Sequence, residues 1–152
     1  MSSPSPTLRH AADTAAPGCD FVREWLRAHN WQANAPYMEA LTAMDFSGQP
    51  LVILAETDAG VVGGLFAETQ LKWLRISIMA VHPEQRGRGI GAALLAAAEQ
   101  EARTRGCRHA HVDTMSYQAP HFYEAQGFEI VGELKDWDSH GHAKYHLVKE
   151  LE

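Results

Sequence analysis

Three glycines at alternate positions, Gly87, Gly89 and Gly91, are bracketed by Arg86 and Arg88 and lead into Ile90, Ala92, Leu94 and Leu95. Ahead of them an apolar run through Leu74, Ile76, Ile78, Met79 and Val81 meets the turn His82-Pro83-Glu84-Gln85. The order strand, turn, glycine loop, alanine-rich helix puts bare backbone N–H groups at a helix N-terminus, where the helix dipole favours an anion. Two arginines beside those amides make a phosphate-bearing ligand the expected one. Glycine carries an entropic penalty, so this spacing implies a need for backbone freedom or close approach beyond a tight turn.

Two phosphate chemistries fit the loop. Gly87, Gly89 and Ala92 satisfy G-x-G-x-x-G/A, with Asp113 roughly 20 residues on, a dinucleotide pattern that would make the chain a nicotinamide-dependent oxidoreductase. Against it, the loop lies past mid-chain, too little chain follows for a doubly wound sheet, and arginines flank the first glycine. The second reading takes those arginines into the pattern: residues 86–91 fit R-x-x-G-x-G, preceded by Val81 and Pro83. Downstream, Ala119-Pro120-His121-Phe122-Tyr123 and Gly127-Phe128 fit A-x-x-F/L-Y-x-x-x-G-F. From about residue 74 to the C-terminus, these two signatures resemble the GCN5-related N-acetyltransferase (GNAT) superfamily. Gly63-Gly64, Asp113-Thr114, Gln118-Ala119-Pro120 and Gly141-His142 are further similar to a branch of small bacterial acetyltransferases, while the N-terminal third is only loosely matched.

The resemblance implies acetyl-CoA as cosubstrate, with its pyrophosphate on the loop Arg86, Gly87, Arg88, Gly89, Ile90 and Gly91. It implies that backbone groups near Met79 and Val81 pair with the pantetheine arm, that the Met79 amide polarises the thioester carbonyl, and that Ser116 stands where relatives carry a coenzyme-contacting asparagine. Side chains at Gly89 or Gly91 are expected to block the ligand. Tyr123 occupies the family's tyrosine position. A phenol with a pKa of about 10 stays protonated at neutral pH yet can reprotonate a leaving thiolate; packing against coenzyme or core is the alternative role. The general base is open. The strand residue where an acid is expected is Ser77, which leaves Glu68, Asp113, His111 or a water chain. Direct transfer in a ternary complex is expected, because Cys107 reads as a small core residue.

Around the site, spacing predicts helices over 21–30, with Asp20 as N-cap, and over 37–44 after Pro36. Strands are expected over 51–56, 61–68, 73–81, 108–114, 128–133 and 143–149, with helices over 89–105 and 119–126 closed by Gly106 and Gly127. Hairpins at both ends and one strand–helix–strand crossover imply an α/β fold with a mixed, mostly antiparallel sheet; the resemblance sharpens this to a GNAT-like acyl-CoA N-acyltransferase fold with a central, splayed parallel pair. The chain reads as a single domain over 1–152 with a frayed tail at 1–6. His140, His142 and His146 are too sparse a set for zinc, and no metal is expected. Trp31, Trp73 and Trp137 are candidates to line a cleft, and His142 to touch substrate.

Bulk properties bound the partners. A net charge of −6 argues against nucleic acid, and 45% apolar with 21% charged residues describes an ordinary globular chain. No apolar run approaches the roughly 20 residues of a membrane span, no secretory signal stands at the N-terminus, and two cysteines make no disulfide framework, so a cytoplasmic setting is expected. The expected activity is transfer of acetyl to a small-molecule primary amine. A non-catalytic acyl-CoA-binding regulatory module and the oxidoreductase are the alternatives. Dimers are common in the family, and a homodimer is expected by analogy alone.

Overall fold

Residues 5–152 are described in a computed structural model, so residues 1–4 of the tail read at 1–6 lie outside the described residues. The chain divides into two units, one ending at Phe46 and the other spanning Ser47–Glu152. In the first, α1 (Cys19–Ala33) is capped by Gly18 at φ 94° rather than by Asp20. Asp20 instead lies inside the first turn, where its carboxylate meets the helix dipole and binds Arg23 at 2.7 Å. The second helix, α2 (Ala35–Ala43), starts as Pro36 predicts, with the Asn34 side chain accepting the Tyr37 N–H at 3.3 Å.

The second unit carries the sheet: β1 (Gln49–Thr57), β2 (Gly60–Gln70), β3 (Trp73–Val81), α3 (Ile90–Thr104), β4 (His109–Met115), α4 (Pro120–Ala125), β5 (Glu129–Leu134) and β6 (Lys144–Glu150). Strand order is β1-β2-β3-β4-β6-β5. Only β3 and β4 run parallel, because α3 returns the chain between them. All other neighbours are antiparallel. The mixed, mostly antiparallel sheet expected from the sequence is therefore the observed one. Its last two strands swap places, so that β6 rather than β5 lies against β4.

The core lies where α3 crosses the sheet. Leu94, Leu95, Ala98 and Ala102 of the helix cluster with Leu65, Leu74, Ile76, Ala110, Val112 and Leu147. Ala98 and Ala102 are fully buried, and their small side chains let the helix axis approach the strands. At the far end of α3, the Arg105 guanidinium donates to the Pro50 carbonyl at 3.0 Å and the Thr69 hydroxyl at 3.3 Å, tying the helix to β1 and β2.

One charge enters this core. Glu99 is 5% exposed, and its carboxylate takes both oxygens to Lys149 Nζ at 2.8 and 3.0 Å, with Arg103 at 3.6 Å. Removing one partner of such a pair costs most where the surviving charge stays buried. Lys149→Ala is therefore expected to destabilise the protein by about 3 kcal/mol, more than Glu99→Gln, whose surviving ammonium reaches water. Urea unfolding of both variants checks the order.

Candidate active site

β3 and β4 pair in register only from Trp73↔His109 to Ile76↔Val112, after which the strands part although both continue. A bulge makes the parting productive. Ser77 has no partner on β2, since Phe66 pairs with Ile78 and Ala67 with Ile76. Its hydroxyl fills the irregularity by donating to the Phe66 carbonyl at 3.0 Å. Past the bulge, the His82 N–H bonds to the Val62 carbonyl on β2. Strand alternation then turns the backbone N–H and C=O of Met79 and Val81 away from β2, into the gap left by β4. A cavity of about 740 Å³ occupies that gap, lined along β3 by Ile76 to Val81 and along β4 by Val112, Asp113 and Thr114.

The glycine loop closes one end of the cavity. A 3-10 turn, Pro83–Gln85, is capped by His82, whose Nδ1 accepts the Glu84 N–H at 3.3 Å. The chain then passes Gly87 at φ 75° and Gly89 at φ 79°, both left-handed conformations that a Cβ opposes. Gly89 caps α3 with no side-chain bond, and the first intrahelical acceptance is Ala93 N–H to the Gly89 carbonyl at 3.0 Å. The N–H groups of Ile90, Gly91 and Ala92 therefore stand at the cavity wall without helical partners. The expectation of steric blocking divides here. Gly89 needs its glycine for backbone conformation, with open space around it. Gly91 has an ordinary φ, and an added Cβ would touch Phe122 at 3.4 Å. Arg86 lines the cavity, but its Nε–H donates to the Val81 carbonyl at 3.0 Å, so one of the open edge groups is already held by this chain. Arg88 does not line the cavity.

Opposite the loop stands Tyr123, on a short helix set by two devices. Gln118 Oε1 accepts from the Met115 N–H at 2.8 Å and the Thr114 hydroxyl at 3.3 Å, turning the chain out of β4. Gly127 at φ 90° ends α4, and the Phe128 N–H returns to the Tyr123 carbonyl at 3.0 Å. Phe122 and Phe128 pack edge-on against the Tyr123 ring at 5.2 and 5.6 Å. The residue is 5% exposed and lines the cavity. Burial, helped by the charge of Asp113, pushes the phenol up to about 12. The phenol therefore stays protonated at neutral pH. Ser116 is exposed, outside the cavity lining, with its N–H on the Ala143 carbonyl at 2.8 Å; Tyr117 and Gln118 reach the cavity instead.

The face of the sheet opposite α3 collects charged side chains beside the gap. Asp113 pairs with Lys144 at 3.1 Å, and the Lys144 ammonium lies 4.4 Å from the Trp137 ring centre. His111 meets His146 at 3.2 Å between Nε2 and Nδ1. Burial, then His146 and Arg75, hold the His111 imidazole below its ordinary value, against the opposing pull of Asp113. Glu68 faces Arg75 at 3.8 Å on β2 and does not line the cavity. His146 bonds to His111, whereas His140 and His142 share one partner. Asp138 accepts the N–H groups of His140 and His142 at 2.9 and 3.1 Å and binds His142 Nδ1 at 2.6 Å. Desolvation opposes this, yet the hydrogen bonds win and hold the Asp138 carboxyl below its usual range. Sequence reasoning missed this loop hub, the Arg86–Val81 bond and the histidine pair. Of the tryptophans, Trp73 packs at a tilt against His109 with ring centres 4.7 Å apart, and Trp137 carries Lys144; neither lines the cavity. Cys107 is 4% exposed, and burial raises its thiol, as suits an inert core residue.

The raised phenol has a measurable consequence. Its neutral form is favoured by folding, so the stability it contributes is complete below pH 10 and is lost as pH climbs from 10 towards 12. A spectrophotometric titration is expected to show one of the four tyrosines ionising about two units later in the native than in the urea-unfolded chain. Tyr123→Phe removes that late phase.

The sheet order excludes a doubly wound parallel sheet, so Gly87, Gly89, Ala92 and Asp113 form no dinucleotide fingerprint, and Asp113 faces Lys144. Comparison with known proteins agrees. The sequence profile of the acetyltransferase (GNAT) domain matches residues 48–130. A blasticidin-S acetyltransferase of Streptomyces morookaense is 35% identical over 121 residues, 76% of this chain and 82% of that protein. An acetyltransferase of Agrobacterium fabrum is 42% identical over 83 residues, 55% of this chain but 61% of that protein's length. A crystal structure of an Agrobacterium tumefaciens acetyltransferase superposes with a TM-score of 0.63 at 34% identity, covering 97% of this chain and 99% of that one. With a parted parallel strand pair, unpartnered amides at the head of the central helix and a domain match over more than half its length, the chain belongs to the GNAT acetyltransferase family.

Proposed function

We propose that the protein transfers an acetyl group from acetyl-CoA to the primary amine of a small molecule, directly and within a ternary complex. The observation that carries this reading is the cavity between β3 and β4. It has a row of free amides at one end, open strand-edge groups along one side and a protonated phenol at the other. Pyrophosphate fits the amides of Ile90, Gly91 and Ala92 together with the charge of Arg86. The pantetheine arm fits the Met79 and Val81 backbone as an added strand, with Arg86 leaving the Val81 carbonyl as the arm arrives. The Met79 N–H then lies where the thioester carbonyl develops charge. Tyr123 supplies the proton that the departing thiolate needs.

A small amine as acceptor is supported by the relative named for blasticidin-S, which shares 35% identity with this chain. Direct transfer is supported by the buried, raised thiol of Cys107, which offers no nucleophile to the cavity. The site requires no metal for any of these steps.

Calorimetric titration tests the coenzyme first. Acetyl-CoA is expected to bind with micromolar affinity while NADH does not bind; the reverse result sinks the reading. Thiol release with blasticidin S and simple amines then tests turnover. Tyr123→Phe is expected to keep acetyl-CoA affinity and to lower kcat by ~10² or more. Equal rates for the two proteins would remove Tyr123 from the acid role, and coenzyme binding without turnover on any amine would favour a regulatory module.

A further inference from the structure

Acetyl transfer needs a proton acceptor as well as a donor, and the β3 position beside the gap holds a serine. The Ser77 hydroxyl donates to the Phe66 carbonyl and is committed to the bulge. Glu68 sits behind Arg75 on β2 and crowds Gly48, whose added Cβ would come within 2.7 Å of the carboxylate. Asp113 reaches the cavity but is neutralised by Lys144 at 3.1 Å. Among the weighed candidates, that leaves His111, which does not itself line the cavity but stands on the same strand as Asp113 without a carboxylate partner of its own. His111 lies two residues before Asp113, a rise of roughly 7 Å along β4, and bonds ring to ring with His146 of β6.

On the reading of acetyl transfer proposed above, we infer that the His111–His146 pair is the proton acceptor for the substrate amine. The pair is built from two strands. His146 stands opposite Asp113 in the β4–β6 register, and His111 opposite Arg75 in the β3–β4 register, so both rings occupy the face below the gap. The rings are nearly parallel, 13° apart with centres at 5.4 Å. One nitrogen of each ring is spent on the shared bond, with one donor and one acceptor. A proton accepted at the outer nitrogen of one ring can therefore leave from the outer nitrogen of the other. The charged groups facing the pair are Arg75 from β3, Asp113 from β4 and Lys144 from β6, with Glu68 of β2 beyond Arg75. Burial, then the neighbouring ring, favours a His111 that is neutral at rest, against the pull of Asp113.

The steps balance. The ammonium R–NH3⁺ gives one proton, through water beside Asp113, to the pair, which releases it to solvent. The freed nitrogen lone pair attacks the thioester carbon, so a C–N bond forms and the C–S bond breaks. Tyr123 protonates the thiolate, and the second nitrogen proton returns to the phenolate. The products are the N-acetyl amide, free coenzyme A and one proton.

His111→Gln tests this, since Gln keeps a hydrogen bond to His146 but cannot take a proton. Thiol release is followed from pH 6 to 10 with acetyl-CoA and blasticidin S, spermidine or tyramine as probe amines. The variant is expected to bind acetyl-CoA as the parent does and to lose about 10²-fold in kcat/KM at pH 7. The deficit should close towards high pH, where the amine arrives already neutral. A deficit equal at every pH, or none, overturns the inference; His146→Gln makes the same prediction should the first variant fail to fold. Long-range proton–nitrogen NMR of the ring nitrogens decides independently of turnover. His111 neutral at pH 7, with His146→Gln shifting its titration, supports the pair, and a charged His111 at pH 7 overturns it. Failure of acetyl-CoA to bind would sink acetyl transfer itself, leaving the ring titrations to judge the pair.

Discussion

Two parallel strands that hydrogen-bond for four residues and then separate create a debt of unpaired backbone groups, and everything at this site follows from how that debt is met. Inside a sheet such groups are nearly always satisfied, because burying them bare costs as much as a lost hydrogen bond. Here β3 and β4 diverge after Ile76 and Val112, yet both run on as strands. Arg86 covers the Val81 carbonyl, and the remaining edge groups face a cavity of about 740 Å³. A sheet with a gap is stable only if the flanks are held apart, since closure would pair the edges and erase the site.

Each flank has its own restraint. On the β3 side, the bulge at Ser77 keeps Ile78 and Ala80 bonded to β2 while redirecting Met79 and Val81. On the β4 side, Gln118 holds the Met115 amide and Thr114 hydroxyl, bending the chain outward into α4 and carrying Tyr123 to the cavity. Below the gap, Leu74, Ile76, Ala110 and Val112 lock the paired half of the strands under α3. Gly63 lets that helix start close to β2, where an added Cβ would meet Ile90 and Leu94 at 3.4 Å. Packing thus fixes the apex, and local hydrogen bonds fix the two arms.

Those causes also explain what could be read in the chain beforehand. Periodicity located the strands and helices within a few residues, because most of them bury one face and several are bounded by Gly, Pro or Asn of known turn chemistry. Asp20 was misplaced as an N-cap because its composition suits a cap as well as a first turn, and only Gly18 at φ 94° separates the two. Gly87, Gly89, Gly91 and Tyr123 were legible because their types and spacing carry the chemistry. The His111–His146 contact was not: it is a diagonal across two strands whose neighbourhood depends on β6 inserting between β4 and β5. The ion pair of Asp113 with Lys144 was hidden for the same reason. A cross-strand pair is a property of register, and register between strands about thirty residues apart leaves no local trace.

Asp113 links the two ends of the proposed proton traffic. Its charge disfavours the phenolate of Tyr123, and it favours the imidazolium of His111. A bare carboxylate there would push the donor and acceptor apart, making the tyrosine too weak an acid while trapping a proton on the histidine. Lys144 moderates both effects from one position, bound to Asp113 at 3.1 Å and braced over Trp137 at 4.4 Å. Burial then dominates, raising the phenol and lowering the imidazole, so that one group rests protonated and the other does not. Two titratable groups with opposite resting states, on either side of a gap that only a ligand can fill, are what a direct transfer of acyl between sulfur and nitrogen requires.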